Sequence, residues 1–578
     1  MSGQFLPGLA ASSSRRRFLR NLGGSALTSS LSSPLARAFP SGASPASSFF
    51  EEISAAQSGI SWSHTAGLSD EMYLPETVGA GCAFLDYDND GWMDIYLVNS
   101  GPCDFYRPAA PLRNALYRNN RDGTFTDVTL KAGVLGNAYG MGVAVGDYNG
   151  DGLPDIYLTQ YPHSILYRNN GDGTFTDVTA KAGVAAPGWA TSAVWFDYDN
   201  DGKLDLFVCR FADFDKSKNV FCGGHAPGER YYCKPNVFAP MPSWLFHNNG
   251  DGTFTDVSRE MGLTRSPGKA WGVVAADVDN DGRIDLFVGN DTSPNSLFFN
   301  RGAAGFEDGG LLAGVAFNPF GAARSGMGVD AADFNQDGWI DLFVANVDHE
   351  MYSLYRNNKD GSFEDTAVPS GIGPVTRMMS GWGLKFFDYN NDGDLDLLLS
   401  NGHPDLTIEA HHQDIRYRQP LLLFQGDGRS WKNVSAQCGP AFARPIAGRG
   451  LALGDFDNDG AVDVLVTCND GAPLLLRNTI AQQNHWLGLK LVGTKSNIDA
   501  IGAQITYQSG DLKRQRTKVG AGSYLSSHDP RIVLGLGART KIDWVEVRWP
   551  KPGGGVDRFT DLPIDRYVTL REGQKHWT

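Results

Sequence analysis

Seven short stretches of the chain repeat one arrangement of oxygen-bearing side chains: Asp, any residue, Asp or Asn, any residue, Asp-Gly, two residues, Asp. They comprise Asp86, Asp88, Asp90 and Asp94; Asp147, Asn149, Asp151 and Asp155; Asp197, Asp199, Asp201 and Asp205; Asp277, Asp279, Asp281 and Asp285; Asp333, Asn335, Asp337 and Asp341; Asp388, Asn390, Asp392 and Asp396; and Asp455, Asp457, Asp459 and Asp463. Carboxylates held this close repel one another unless a cation sits among them. Oxygens at positions 1, 3, 5 and 9, a glycine at 6 for a sharp turn and the backbone carbonyl of 7 make a hard, all-oxygen site suited to Ca²⁺. The three copies with Asn at position 3 keep the pattern, because an amide oxygen still coordinates. Up to seven Ca²⁺ ions are therefore expected. Their expected role is structural, since a loop whose coordination positions are filled by protein leaves little room for a ligand.

The elements that must position these loops are strands. An EF-hand needs a bidentate Glu at position 12 and flanking helices, but position 12 is Leu97, Leu158, Val208, Val288, Val344, Leu399 or Val466. Each loop is followed by a short apolar run such as "IYLV" or "LFVG" and preceded by one such as "GCAFL" or "GLALG", both patterns of buried strands. A second signature recurs between loops, as in "ALYRNNRDGTFTDVTLKAGV", where Asp-Gly supplies a hairpin turn. Four strands per repeat at a period near 50 residues predict the blades of a β-propeller. The fold expected is all-β: a seven-bladed β-propeller over residues 49–480 and a small C-terminal β-sandwich-like domain over 484–575. The seventh repeat lacks its last strand, and residues 49–60, "FFEEISAAQSGI", align with it; the N-terminal strand is expected to close the last blade.

These residues resemble the integrin-α-like propellers built from FG-GAP or VCBS-type repeats. "NHWLGLKLVGTKSNIDAIGAQI", "GAGSYLSSHDPRIVLGLG" and "VEVRWP" resemble the ASPIC/UnbV domain, which follows such a propeller in bacterial relatives of the cartilage acidic protein family. The resemblance implies calcium-binding propellers with adhesion or matrix-like roles in animals. The chain departs from the repeat at "FFNRGAAGFEDG", where the turn Asp-Gly is lost, and in an insertion at 211–241. Within the C-terminal part, "GAGSYLSS" reads as a tight turn packed on a sheet, or else as a ligand loop.

"SRRRFLR", a Gly/Ser/Ala-rich run and "ARA" at Ala36–Ala38 resemble a twin-arginine export signal over residues 1–38, which implies a periplasmic or secreted protein. Removing the five arginines of that segment takes the formal charge from −15 to −20, and seven divalent ions would return it to −6. Most of the acidity is thus loop acidity, and it excludes nucleic acid as a partner. No later stretch is long and apolar enough to serve as a transmembrane anchor. Of the seven cysteines, Cys222 and Cys233 are expected to staple the 211–241 insertion, Cys82 with Cys103 is a weaker pair, and Cys209, Cys438 and Cys468 read as small buried hydrophobes.

No nucleophile elbow, His-Glu-x-x-His, phosphate loop or dinucleotide loop stands out, so no catalytic residue is assigned. The histidine-rich segment 401–420, with His403, His411 and His412 near Asp405 and Glu409, is the alternative source of chemistry; His64 reads as structural. The expected function is a non-catalytic, adhesion-like scaffold that presents 211–241 and 405–419 to a protein or glycan ligand. The alternative is an exported enzyme acting on polysaccharide or another polymer from one propeller face. Convergence of those histidines in a deep pocket would favour the latter.

Overall fold

The computed structural model describes residues 48–226 and 228–578; the twin-arginine segment lies outside them. Each aspartate loop joins the first two strands of a four-stranded antiparallel sheet, and seven such sheets follow in chain order. Their first strands are Cys82–Leu85, Tyr139–Gly146, Ala190–Phe196, Ala270–Ala276, Val329–Ala332, Gly381–Phe387 and Gly448–Gly454. The second strands, such as Asp94–Leu97, are buried along their length except at Arg210, the last residue of that of the third sheet, which is why they read as continuous apolar runs rather than alternating ones.

Successive first strands touch in order, and Gly448–Gly454 meets Cys82–Leu85, so the sheets form a closed ring around an axis: a β-propeller. The seventh sheet takes its outer strand from the other end of the chain. Phe50–Ile53 pairs antiparallel with Leu475–Asn478, from Phe50 opposite Asn478 to Ile53 opposite Leu475. Hydrogen bonds therefore hold the first and last parts of the ring together.

The C-terminal region forms two further sheets. His485–Val492 pairs with Ile532–Gly537 and, in parallel, with Tyr567–Arg571. Gln504–Ser509, Leu512–Thr517, Trp544–Arg548 and Val556–Phe559 make the other. Both contribute to one core that includes Leu487, Leu489, Tyr507, Leu534, Val547, Trp549 and Phe559, as a small β-sandwich requires.

Residues 520–529 are not a turn packed on a sheet. They run into the axis of the ring and bond to the first strand of every sheet. Gly520 and Ala521 pair with Ala275 and Val274 of the fourth. The Ser523 N–H donates to the Val329 carbonyl of the fifth at 2.6 Å. The Ser523 hydroxyl accepts from the Leu384 N–H of the sixth and donates to the Leu451 carbonyl of the seventh. Leu525 donates to the Ser192 hydroxyl of the third and accepts from the Val143 N–H of the second. Ser527 exchanges bonds with Cys82 and Phe84 of the first.

To address seven strands in turn, the backbone must coil tightly. Ala521, Gly522, Ser523 and Leu525 all have positive φ, between 55° and 94°. For residues with a Cβ this costs on the order of 1–3 kcal/mol each, and the surrounding bonds offset it. Tyr524 is fully buried, packed on Trp382 and Trp271 at centroid distances of 4.9 and 5.8 Å, with its hydroxyl donating to the Val78 carbonyl.

The close approach leaves space only for glycine at position 81, where a Cβ would overlap the Leu525 carbonyl oxygen. Gly81→Ala should therefore destabilise the protein by about 1–3 kcal/mol, read as a lower urea midpoint, and should open 520–529 to proteolysis. Unchanged stability and protection would show that the segment does not occupy the axis.

Candidate metal centres

All seven loops share one hydrogen-bonded frame. The position-1 carboxylate accepts the backbone N–H groups of positions 5 and 6, as Asp86 does from Asp90 at 2.8 Å and Gly91 at 3.0 Å, and Asp455 from Asp459 and Gly460. One oxygen of position 5 accepts the N–H of position 7, as in Trp92 to Asp90 at 2.9 Å. Position 4 is left-handed, with φ of 57° at Asn89 and Asn280, which suits the Asn that usually stands there. These bonds curl the loop so that its acidic side chains point inward. In four loops the carboxylates of positions 1, 3 and 9 converge, with ligand atoms within 4.8 Å of one another: Asp86, Asp88, Asp94; Asp197, Asp199, Asp205; Asp277, Asp279, Asp285; and Asp455, Asp457, Asp463.

In the other three, Asn149, Asn335 and Asn390 take position 3. Their amide oxygens accept the N–H of Asp151, Asp337 and Asp392 at 3.0–3.1 Å. Asp147, Asp155, Asp333, Asp341, Asp388 and Asp396 occupy positions 1 and 9 of these loops.

Position 9 is sealed from water in every copy; Asp155, Asp205, Asp341, Asp396 and Asp463 have no exposed surface. One oxygen accepts a backbone N–H from the third strand, at 2.7 Å from Asn119 to Asp94. The other oxygen of Asp155 and of Asp341 is buried without a partner, as is one oxygen each of Asp279 and Asp457. Burial, reinforced by neighbouring carboxylates, pushes Asp94, Asp155, Asp197 and Asp341 up to about 8 and drives Asp285, Asp396 and Asp463 well above the usual carboxylate range. Orphaned, buried, mutually repelling oxygens are costly alone and are what a hard divalent cation would satisfy. The residues present fit such an ion.

A further set of residues ties the loops together. The last residue of the third strand is Asn in six sheets, and its side-chain N–H₂ donates to the position-2 carbonyl of the preceding sheet's loop: Asn119 to Phe456, Asn169 to Tyr87, Asn248 to Tyr148, Asn300 to Tyr198, Asn357 to Val278 and Asn478 to Tyr389, at 2.7–2.9 Å. The signal was present in the sequence for four of them as the first Asn of "RNN" or "HNN", where it reads as an ordinary turn residue, while Asn300 and Asn478 stand in "FNR" and "RNT". The C-terminal domain sits on the same rim. Tyr567 donates to Asp455 at 2.7 Å, Arg531 reaches the Asp455 carbonyl, Arg514 and Arg516 reach Gly393, and Gln515 bonds Gln336.

The histidines disperse. His403 is buried and 3.1 Å from Asp348, while His411 and His412 are exposed; His411 packs on Tyr231 of the 211–241 insertion. Asp405 accepts the Thr407 N–H, and Glu409 accepts from Tyr417, local bonds within the segment. His64 is buried, accepts the Asp470 N–H and contacts the Ser100 hydroxyl; burial pulls it down to about 3, so it is neutral. Cys222 and Cys233 form a disulfide, but Cys82 and Cys103 are both free. Cys82 is sealed in the first strand with its thiol against the Leu465 carbonyl, so the pairing with Cys103 is not made.

Residues 86–158, 147–208, 235–288, 277–344 and 333–399 match the FG-GAP-like repeat family, and residues 493–576 match the ASPIC and UnbV family. The chain belongs to the FG-GAP-repeat propeller proteins that carry an ASPIC and UnbV domain. Among such proteins it is similar to cartilage acidic protein 1. It is 25% identical to that of Xenopus tropicalis over 487 residues, 81% of this chain and 61% of the relative, and 29% identical to that of Homo sapiens over 308 residues, 51% and 43%. Integrin alpha-8 of Mus musculus is 29% identical over 158 residues, 24% of this chain and 14% of that protein. The chain thus spans less than two thirds of the length of each of these relatives.

Asn357→Ala removes the bond from the fifth sheet to the fourth and leaves the buried Val278 and Ile340 carbonyls unpaired. It should cost about 1–3 kcal/mol in a urea titration. A cost near zero would show that the Asn side chain does not tie adjacent loops together.

Proposed function

We propose that the chain is an exported binding scaffold whose ring is held rigid by calcium in its seven loops and whose free face presents 211–241 and 405–419 to a protein or glycan. The calcium reading rests on the buried, partnerless oxygens of Asp155 and Asp341 inside acidic loops. Ca²⁺ supplies charge neutralisation and many flexible oxygen contacts; the carboxylates of positions 1, 3, 5 and 9 would hold it, with Asn149, Asn335 and Asn390 contributing amide oxygens. Export to an oxidising compartment accords with the twin-arginine-like segment and with the Cys222–Cys233 disulfide.

The binding surface follows from what the rest of the fold occupies. The loop rim carries the C-terminal domain and the axis carries 520–529, so the remaining elaborated surface is the one built by the insertions. The Tyr231 and His411 rings, 5.8 Å apart, bring the two insertions together. Phe221, 42% exposed, stacks on His225 at 4.4 Å and lies under Arg230 at 4.8 Å. Exposed aromatic rings beside an arginine suit sugar faces and protein side chains alike.

Thermal unfolding of the exported chain in EDTA, then in millimolar Ca²⁺ or Mg²⁺, with metal counting, tests the first part. A large calcium-specific rise in Tm with close to seven ions bound is expected; no shift would sink the calcium reading. For the surface, a glycan array probed with the labelled chain in calcium should give signals that Phe221→Ala with Tyr231→Ala abolishes without changing the calcium-dependent Tm. Signals that survive the double substitution would place the ligand elsewhere.

A further inference from the structure

The third loop differs from the other six in what stands beside it. The penultimate residue of the third strand, which faces the loop, is Arg118, Arg168, Phe299, Arg356, Gln425 or Arg477 in the other sheets, and His247 in the third. An arginine there can supply counter-charge but no lone pair. An imidazole supplies a nitrogen donor.

His247 Nδ1 lies 3.3 Å from Asp199 Oδ2 and 3.3 Å from Asp205 Oδ1. It is shielded from solvent and makes a hydrogen bond to neither. Equal spacing to two carboxylates without hydrogen-bond geometry suggests ligands sharing an ion. Donors about 2.0–2.2 Å from one tetrahedral or octahedral centre stand roughly 3.0–3.5 Å apart. The position is firmly set. Asn248, the next residue, is clasped to Tyr148 and Leu204, Asp205 is held by the N–H groups of Asn248 and Tyr198, and the Tyr198 ring stands edge-on to the imidazole at 5.9 Å. Ligand atoms of Asp199, Asp201 and His247 converge, as separately do those of Asp197, Asp199 and Asp205; Asp201 has one oxygen drawn off by Lys203, which leaves Asp199 as the carboxylate common to both sets.

We propose that the third loop is a separate metal site, built by Asp197, Asp199, Asp205 and His247, that takes a borderline transition-metal ion of the Zn²⁺ class in preference to Ca²⁺. The inference rests on the reading of the loops as metal sites but changes the ion at one of them. Carboxylate and carbonyl oxygens alone suit Ca²⁺, Mg²⁺ and Mn²⁺, whereas an imidazole shifts preference toward Zn²⁺, Ni²⁺ and Cu²⁺. The propeller would then carry two kinds of ion, six of one and one of the other.

The test uses the untagged exported chain, equilibrated with Zn²⁺ in excess millimolar Ca²⁺, dialysed against calcium buffer and analysed for both metals by mass spectrometry. The wild type should keep one Zn²⁺ per chain. His247→Arg, which installs the residue found in four other sheets, and His247→Gln should each lose it, with affinity more than about 100-fold weaker. Both variants should keep the calcium-dependent Tm of the wild type, which shows that the ring still folds. A wild type that keeps seven Ca²⁺ and no Zn²⁺, or Zn²⁺ retention unaffected by either variant, overturns the proposal while leaving the calcium scaffold standing. One His247-dependent Zn²⁺ without bound Ca²⁺ upholds the proposal and removes the calcium reading instead.

Discussion

A carboxylate shut away from water at the ninth position of each loop is the constraint around which the ring is organised. Removing such a group from solvent costs several kcal/mol unless charge or hydrogen bonds compensate. Asp94, Asp155, Asp205, Asp285, Asp341, Asp396 and Asp463 each begin the second strand of a sheet and each accept a backbone N–H from the third strand. The same third-strand residue, where it is Asn, reaches across to the neighbouring loop. One buried charge thus fixes a strand start, a strand end and the spacing to the next sheet. A cation bound there would act on the seam between sheets as much as on its own loop.

Most of the fold class was legible because its signals are local. The apolar runs on either side of each aspartate loop, the Asp-Gly turns and the period of the repeat lie within a few tens of residues, so an all-β propeller with a small C-terminal β-domain could be read from the chain. The loops themselves were legible as joints between strands for the same reason. What was not legible depends on partners far away in sequence. "GAGSYLSS" has the composition of a tight turn; its place in the axis is set by Ser192, Val143, Leu384 and Leu451, none of which is near it in the chain. His247 was hidden differently. Its strand looks ordinary until the seven third strands are superposed and the imidazole is seen to stand where arginine is usual.

The axial segment decides where function can lie. Propellers commonly bind or react at the mouth of the central channel, but here the channel is filled by 520–529, and Tyr524 is packed among Trp271 and Trp382. Left-handed φ at Ala521, Ser523 and Leu525 makes the segment intrinsically unfavourable outside this setting. It is ordered by the ring, and the ring's inner strands find in it partners for backbone groups that would otherwise face an open channel. The C-terminal domain is therefore integral to the propeller rather than an appendage. Under the proposed scaffold role, recognition would fall to the insertions, where the Phe221 and Tyr231 rings are exposed.

The one seam without an asparagine clasp shows how the parts compensate. In the sixth sheet, Gly426 stands where the others carry Asn. A side chain there would overlap the Leu395 carbonyl, and Trp431, in place of the usual Phe, lies against the same spot. The fifth and sixth sheets consequently lack the bond that joins the other pairs, and a cavity of about 550 Å³ lined by Phe334, Asn335, Gly428 and Trp431 opens beside them. At this place the strand Leu512–Thr517 of the C-terminal domain crosses the rim. Gln515 exchanges bonds with Gln336 of the fifth loop, and Arg514 and Arg516 both donate to the Gly393 carbonyl of the sixth, Arg514 also pairing with Asp394. A single strand thus spans the gap that the missing side chain leaves.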